Sequence, residues 1–233
     1  MIRGVAGAAL ALLLLACEGE RQASAWKSSG PGRSNLHVIT GLPLFFAEGF
    51  TLDGKKSPIL ARLEQEFAVM PVDGPDQLSA AGLLLAAQPR ALTAERLVAL
   101  DKWVRAGGRL LLLADPWLTW NSELPLGDPG RPPVEYADTG LLRHWGLMLE
   151  KPAPPALERI DRALGGKLIK VSAPGSLIAK AKTCTVAADA FVAHCRLGRG
   201  TAVVVADADL LNSTEDRAPL EAIMTELTAL AQR

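Results

Sequence analysis

The sequence is poor in the residues that common binding and catalytic motifs require. Lys+Arg and Asp+Glu balance at 25 each, so the formal charge is zero. No long basic run occurs, and binding a phosphate backbone needs a clustered basic excess, so nucleic acid is not an expected partner. No Gly-x-Ser-x-Gly elbow is present, which removes one familiar serine-nucleophile motif. The longest apolar run, Val5 to Ala16, is about a dozen residues, too short to cross a hydrocarbon core of roughly 30 Å as a helix. Aromatic residues make up 5% of the chain, and only three cysteines and three histidines occur in 233 residues. What is abundant is Leu and Ala. Hydrophobic residues reach 49%, enough for one α/β domain of about 200 residues with a substantial core.

The clearest structural signal runs from Leu83 to Pro116. Leu83 to Ala87 is a short apolar run broken by Gln88-Pro89. Thr93 stands at a helix N-cap position, and Glu95 lies in the first turn, where the helix dipole favours a negative charge. Leu97, Leu100 and Val104 recur at helical spacing, with Val98 and Trp103 widening the apolar face. Gly107-Gly108 stops the helix. Arg109 to Ala114 is a second apolar run, closed by Asp115-Pro116. Two fully apolar strands joined by a helix predict a parallel pair covered on both faces.

The remaining pattern can be arranged around this unit. Leu36 to Thr40 and Ala68 to Val72 read as strands, the second an edge strand because of Pro71. A helix is expected from Pro58 through Phe67. Trp117 to Tyr136 carries four prolines and two tryptophans, which suits a functional loop or a cover over the sheet edge. Asp138 to Trp145 reads as a short helix ended by Gly146. Leu147 to Leu149 and Lys167 to Val171 read as strands, and Arg159 to Ala163 has no clear assignment. Thr183 to Leu197 reads as a β-hairpin, Thr201 to Ala206 as a buried strand, and Glu215 to Ala231 as the final helix.

The N-terminus has one positive charge at Arg3, then the apolar run, then Leu14-Leu15-Ala16-Cys17. The run has the proportions of a signal-peptide core. The four closing residues resemble the lipobox of bacterial lipoproteins, in which the cysteine is lipidated and becomes the new N-terminus. The alternative is an ordinary secretory signal with an incidental cysteine. Residues 1–16 are therefore read as a signal peptide and residues 17–35, rich in Gly, Ser and charged residues, as a flexible tether. Residues 36–233 form a single domain. The expected location is the cell envelope, facing the periplasm, with membrane attachment through lipid on Cys17.

With Cys17 lipidated, Cys184 and Cys195 are an even pair on the two arms of the hairpin, which suits a disulfide outside the cytoplasm. The alternatives are a metal pair that includes His194, or a catalytic thiol. Structural zinc usually has four ligands at recognisable spacing, which this region lacks.

Three stretches carry a family resemblance: Leu100 to Pro116 (LDKWVRAGGRLLLLADP), Leu141 to Leu149 (LLRHWGLML) and Gly198 to Leu211 (GRGTAVVVADADLL). In this order they resemble the extracytoplasmic auxiliary domain of gliding-motility-type ABC transport systems, related to the intraflagellar-transport auxiliary domain. The resemblance implies a flavodoxin-like α/β sandwich of the class I glutamine amidotransferase type, with a mainly parallel sheet. It also implies a binding or auxiliary role without amidotransferase chemistry or a cofactor, in company with an ABC permease or ATPase.

Amidotransferase chemistry needs a cysteine on a sharp strand-to-helix turn, and no cysteine follows any expected parallel strand. Polar residues do stand at strand ends: Glu48, Gln88, Asp115, Asp207 and Asp209. In a parallel α/β sheet the carboxyl ends of the strands share one edge, where ligands bind. The expectation is an acidic cleft there, under the Trp117–Tyr136 loop, with Trp117 and Trp120 able to stack on a flat ligand. Asp207 and Asp209, two apart, could face a divalent cation together. The competing reading gives these residues structural duties, since Asp at a strand end often caps a turn or helix. A hydrolase or a carbohydrate- or cation-binding protein is the functional alternative that the acidic cleft would support.

Overall fold

A computed structural model describes residues 32–45, 57–153, 159–212 and 216–233. The apolar N-terminal run, Cys17, most of the tether and Glu48 lie outside the described residues. In chain order the elements are β1 (Ser34–Thr40), α1 (Pro58–Glu66), β2 (Phe67–Pro71), β3 (Leu83–Ala87), α2 (Ala94–Arg105), β4 (Arg109–Leu113), α3 (Leu141–Trp145), β5 (Leu147–Glu150), β6 (Arg159–Leu164) and β7 (Lys167–Ser172). They continue with β8 (Ser176–Ala179), β9 (Cys184–Val186), β10 (Val192–Leu197), β11 (Gly200–Val205) and α4 (Ala218–Ala231).

Seven strands form the main sheet in the order β2-β1-β3-β4-β11-β10-β9. The five from β2 to β11 are parallel, and β10 and β9 continue antiparallel as a hairpin. With β11 as fifth strand, this is the doubly wound order 2-1-3-4-5, and the chain reverses direction of growth between β1 and β3. Every residue of β3 is buried, as are Leu110 to Leu113 of β4 and Ala202 to Val205 of β11. Such runs require cover on both faces, and the helices provide it. Among the contacts, α2 packs on β11, and α4 packs on β3 and β4. Arg62 of α1 makes a paired contact with Glu221 of α4, Nε to Oε1 at 2.7 Å and Nη2 to Oε2 at 2.9 Å, which ties these two helices together.

Local signals account for the helix starts. The Ser57 side chain accepts from Leu60 N, with Pro58 in the first turn. Thr93 accepts from Arg96 N in the same way. β2 is an edge strand, as Pro71 requires. In α4, the described helix begins at Ala218 with Pro219 in its first turn, where a missing N–H costs nothing. At the opposite edge of the sheet from the strand ends, Gly200 admits the α2 terminus. A Cβ there would collide with the carbonyl oxygens of Val104 and Gly108.

Between β4 and β11 the chain makes a long excursion. β5 pairs with β8, and β6 with β7, in two small antiparallel ladders. The stretch from Arg159, unassigned from sequence, is the strand β6, joined to β7 by a two-residue turn. Gly165 and Gly166 have φ of +56° and +72°, the left-handed pair of a tight hairpin turn. In the β9–β10 hairpin, Cys184 and Cys195 are cross-strand partners joined by a disulfide. The loop it closes spans 11 positions. Replacing both cysteines by serine is expected to cost about 2–3 kcal/mol. Urea unfolding with and without reductant checks this: reductant should destabilise the native chain and leave the double variant unchanged.

Candidate functional site

Gln88, Asp115, Asp207 and Asp209 follow the carboxyl ends of β3, β4 and β11. Because these strands are adjacent and in register, the residues meet at one edge of the sheet. The meeting is mediated by backbone groups. Asp115 Oδ1 accepts from Trp117 N at 2.8 Å, and Oδ2 accepts from Ala208 N at 3.1 Å and Asp209 N at 3.3 Å. Asp207 Oδ1 accepts from Leu210 N at 2.8 Å. Asp209 Oδ2 accepts from both the N–H and the hydroxyl of Thr119, each at 2.7 Å. The Gln88 side chain locks β3 to β4: its Oε1 accepts from Asp115 N at 2.9 Å, and its Nε2 donates to Asp115 O at 3.0 Å.

This edge is buried. Asp115 is 1% exposed, and Asp207 and Gln88 are 0% exposed. Two carboxylate oxygens, Asp207 Oδ2 and Asp209 Oδ1, are buried with no donor among the described residues. Burial pushes the Asp115 carboxyl up to about 6, and the Asp209 charge adds to the shift against the backbone donors. Asp207 is raised well above the usual carboxylate range, first by burial and then by Asp115. Asp209 is raised by burial, with Thr119 opposing. The cluster therefore retains protons at a higher pH than exposed carboxylates do. No group of three or more His, Cys, Asp or Glu side chains among the described residues is placed to hold a metal ion.

The Trp117–Tyr136 segment forms the cover over this edge and contains no helix or strand. Tyr136 N donates to Asp115 O at 2.6 Å, and Leu118 N to Val134 O at 3.0 Å, folding the segment back on itself. Arg131 reaches the Leu124 carbonyl within it. The β1/β3 switch point is where doubly wound folds usually leave a crevice. Here Pro133 fills it. A Cβ on Gly41 would lie 2.9 Å from the Pro133 ring and 2.6 Å from Gln88 O. Gln88 itself has φ +44°, the only residue at these strand ends with a positive φ. The strained turn that a nucleophile would need thus carries a carboxamide engaged in backbone hydrogen bonds. Trp120 is partly buried against the core, whereas Trp117 is 56% exposed, with Val134 and Leu126 also exposed on the same segment.

Of the residues singled out from sequence, four therefore converge, and Trp117 and Trp120 lie on the segment above them. Glu48 and Cys17 fall outside the described residues. His37 is buried within β1, with its pKa lowered by burial, and its Nδ1 has no partner among the described residues. His144 is exposed beside Asp101, 3.5 Å from its carboxylate. Sequence reading missed a second polar region at the opposite, amino edge, built from Lys182, His194, Arg196, Arg199 and Arg109. The signal for it was the alternation in Ala193-His194-Cys195-Arg196-Leu197, which puts His194 and Arg196 on one face of β10.

No protein-family model matches the sequence, and no curated protein matches it. Solved structures do. The mmIFT52 N-terminal domain matches with a TM-score of 0.53 at 14% identity, over 86% of this chain and 98% of that one. Gan42B, a GH42 beta-galactosidase from G. stearothermophilus, matches with a TM-score of 0.50 at 15% identity, over 86% of this chain and 30% of that one. The exo-beta-1,4-mannosidase Op5Man5 from Opitutaceae bacterium strain TAV5 gives 0.46 at 13% identity, over 86% of this chain and 35% of that one. The chain thus spans about a third of the two glycosidases. At such identities the likeness is one of fold, the class I glutamine amidotransferase-like α/β fold.

Proposed function

We propose that this glutamine amidotransferase-like domain is a non-catalytic binding module of the cell envelope. It is anchored through lipid on Cys17 and works by engaging a partner protein. The single observation that carries this reading is the filled switch-point crevice: Pro133 sits against Gly41, and Gln88 is held by Asp115. A fold whose ligand edge is closed by its own loop has its outer surface left for recognition. The hairpin disulfide supports a compartment outside the cytoplasm. The resemblance to gliding-motility auxiliary domains supports an ABC-type transport assembly as the partner class. No cofactor is needed for this role.

The test is gentle detergent extraction of the tagged full-length protein from its native cells, followed by cross-linking and mass spectrometry. Recovery of an ABC permease or ATPase, with diacylglycerol on Cys17, is the expected result. Recovery of the protein alone, lipidated, would remove the transporter and keep the anchor. An unmodified Cys17 in mature protein would remove the anchor.

A further inference from the structure

We infer that the amino edge of the sheet carries a binding site for a phosphate group. A concavity of about 500 Å³ opens beside the β9–β10 hairpin, lined by Lys182, Thr185, His194, Arg196, Thr201 and Arg233 among others. A second, of about 320 Å³, shares Thr201 and Arg233 with it and adds Arg109 and Arg199. No Asp or Glu side chain lines either one among the described residues. In a chain whose formal charge is zero, this is a local segregation of positive charge.

The strand register builds the site. His194 pairs with Thr185 across β9, and Arg196 pairs with Thr201 across β11. Alternation along β10 buries Ala193, Cys195 and Leu197 and turns His194 and Arg196 outward. The disulfide beneath them fixes the spacing of the two hairpin arms.

The basic side chains divide into two kinds. Arg109 donates to Ala231 O at 2.8 Å and to Ala81 O at 2.9 Å, and Arg199 to Ala106 O at 2.9 Å. These two hold the chain together and contribute field. The side chains of Lys182, His194 and Arg196 have no hydrogen bond or ion pair among the described residues, so their donors are free to meet a ligand. A guanidinium fork, an ammonium, an imidazole and two hydroxyls around one hollow suit an anion with several oxygens, such as phosphate or pyrophosphate. The larger volume leaves room for a substituent on that phosphate, a headgroup or a sugar.

A phospholipid headgroup and a soluble phosphate ester are thus both sources of the same ligand chemistry. The site does not depend on the lipid anchor or on the partner reading above.

The test uses the full-length chain in detergent, titrated calorimetrically with inorganic pyrophosphate. A parallel arm measures flotation with phosphatidylcholine vesicles with and without phosphatidylglycerol. The variants are Lys182→Gln/Arg196→Gln, and Lys170→Gln as a control for loss of a surface charge. Thermal melts establish that each is folded. Pyrophosphate binding that weakens at least about tenfold in the double variant and is unchanged in the control supports a site for soluble phosphates. Binding only to the phosphatidylglycerol vesicles, with the same variant dependence, supports the lipid source. Binding that the double variant leaves intact, or no binding in either arm, overturns the proposal.

Discussion

Asp115→Ala is expected to lower the unfolding free energy by about 4 kcal/mol at pH 5, read as a drop in the urea midpoint at constant slope. The substitution removes the acceptor from three backbone N–H groups at once, those of Trp117, Ala208 and Asp209. They converge on a carboxylate that is itself buried, since Asp115 is 1% exposed, and one of the donors, Ala208, is 0% exposed. An orphaned buried donor costs about 1–3 kcal/mol, and a methyl group cannot replace the lost acceptor. The loss should be smaller at pH 8. There the wild-type carboxyl, pushed up to about 6 by burial and Asp209, is ionised at a cost the variant does not bear. An equal or larger loss at pH 8 would show that Asp115 is held as a comfortable anion. No loss at either pH would show that water reaches the edge and satisfies the donors. Asp115→Asn separates these terms, because it keeps one acceptor and removes the charge.

The edge also shows how much of this protein its sequence reveals. The β3–α2–β4 unit was legible because each signal was local. The Thr93 cap, the 3.6-residue spacing of Leu97, Leu100 and Val104, and the Gly107-Gly108 stop all agree with the observed Ala94–Arg105 helix. The cross-strand cysteines were legible because a hairpin places residues at fixed offsets opposite each other. The convergence of Gln88, Asp115, Asp207 and Asp209 follows from parallel pairing alone, which aligns strand ends. What sequence could not display is their burial. That depends on Pro133 and Tyr136 folding back over the edge, contacts set by a loop with no periodicity. β8 was missed for a related reason. Ser176–Ala179 is four residues long and exists as a strand because β5, about thirty positions earlier, supplies its partner. β6 had a readable signal in Gly165-Gly166, which a two-residue hairpin turn favours.

The amino edge teaches the converse. No basic run occurs, and the expectation drawn from charge alone is that nucleic acid is not a partner. Yet Lys182, Arg196 and Arg233 line one hollow, because strand pairing and a helix terminus bring together residues more than ten positions apart. Clustering in space is a property of register, which net charge does not report. The two edges of one parallel sheet thus have opposite characters here: a buried acidic edge closed by backbone donors, and an open basic edge with free side-chain donors. Recognition, if it is ionic, belongs at the open edge.

Asp207→Asn is expected to stabilise the protein at pH 8 and to help less, or not at all, at pH 5. Asp207 is fully buried, its Oδ2 has no donor among the described residues, and burial together with Asp115 raises its pKa well above the usual range. The linkage runs opposite to that of a salt-bridged carboxylate. A carboxyl whose folded pKa is raised binds more protons folded than unfolded between the two pKa values, so unfolding free energy falls as pH rises through that interval. For Asp115 alone the interval runs from an ordinary 3.8 to about 6, worth about 3 kcal/mol. Glu221, lowered by its bond to Arg62, slopes the other way at more acidic pH, so variants must be compared at one pH at a time. The substituted carboxamide retains an oxygen for Leu210 N, with which Asp207 Oδ1 now bonds at 2.8 Å, while removing a like charge beside Asp115. The interval of Asp207 itself disappears with its carboxyl, and the wild-type decline above pH 5 should flatten in the variant. Urea unfolding at pH 5 and pH 8 measures both stabilities. A variant destabilised at pH 8 would mean that an unidentified donor or cation holds the ionised Asp207, and the buried edge would then be a binding site after all.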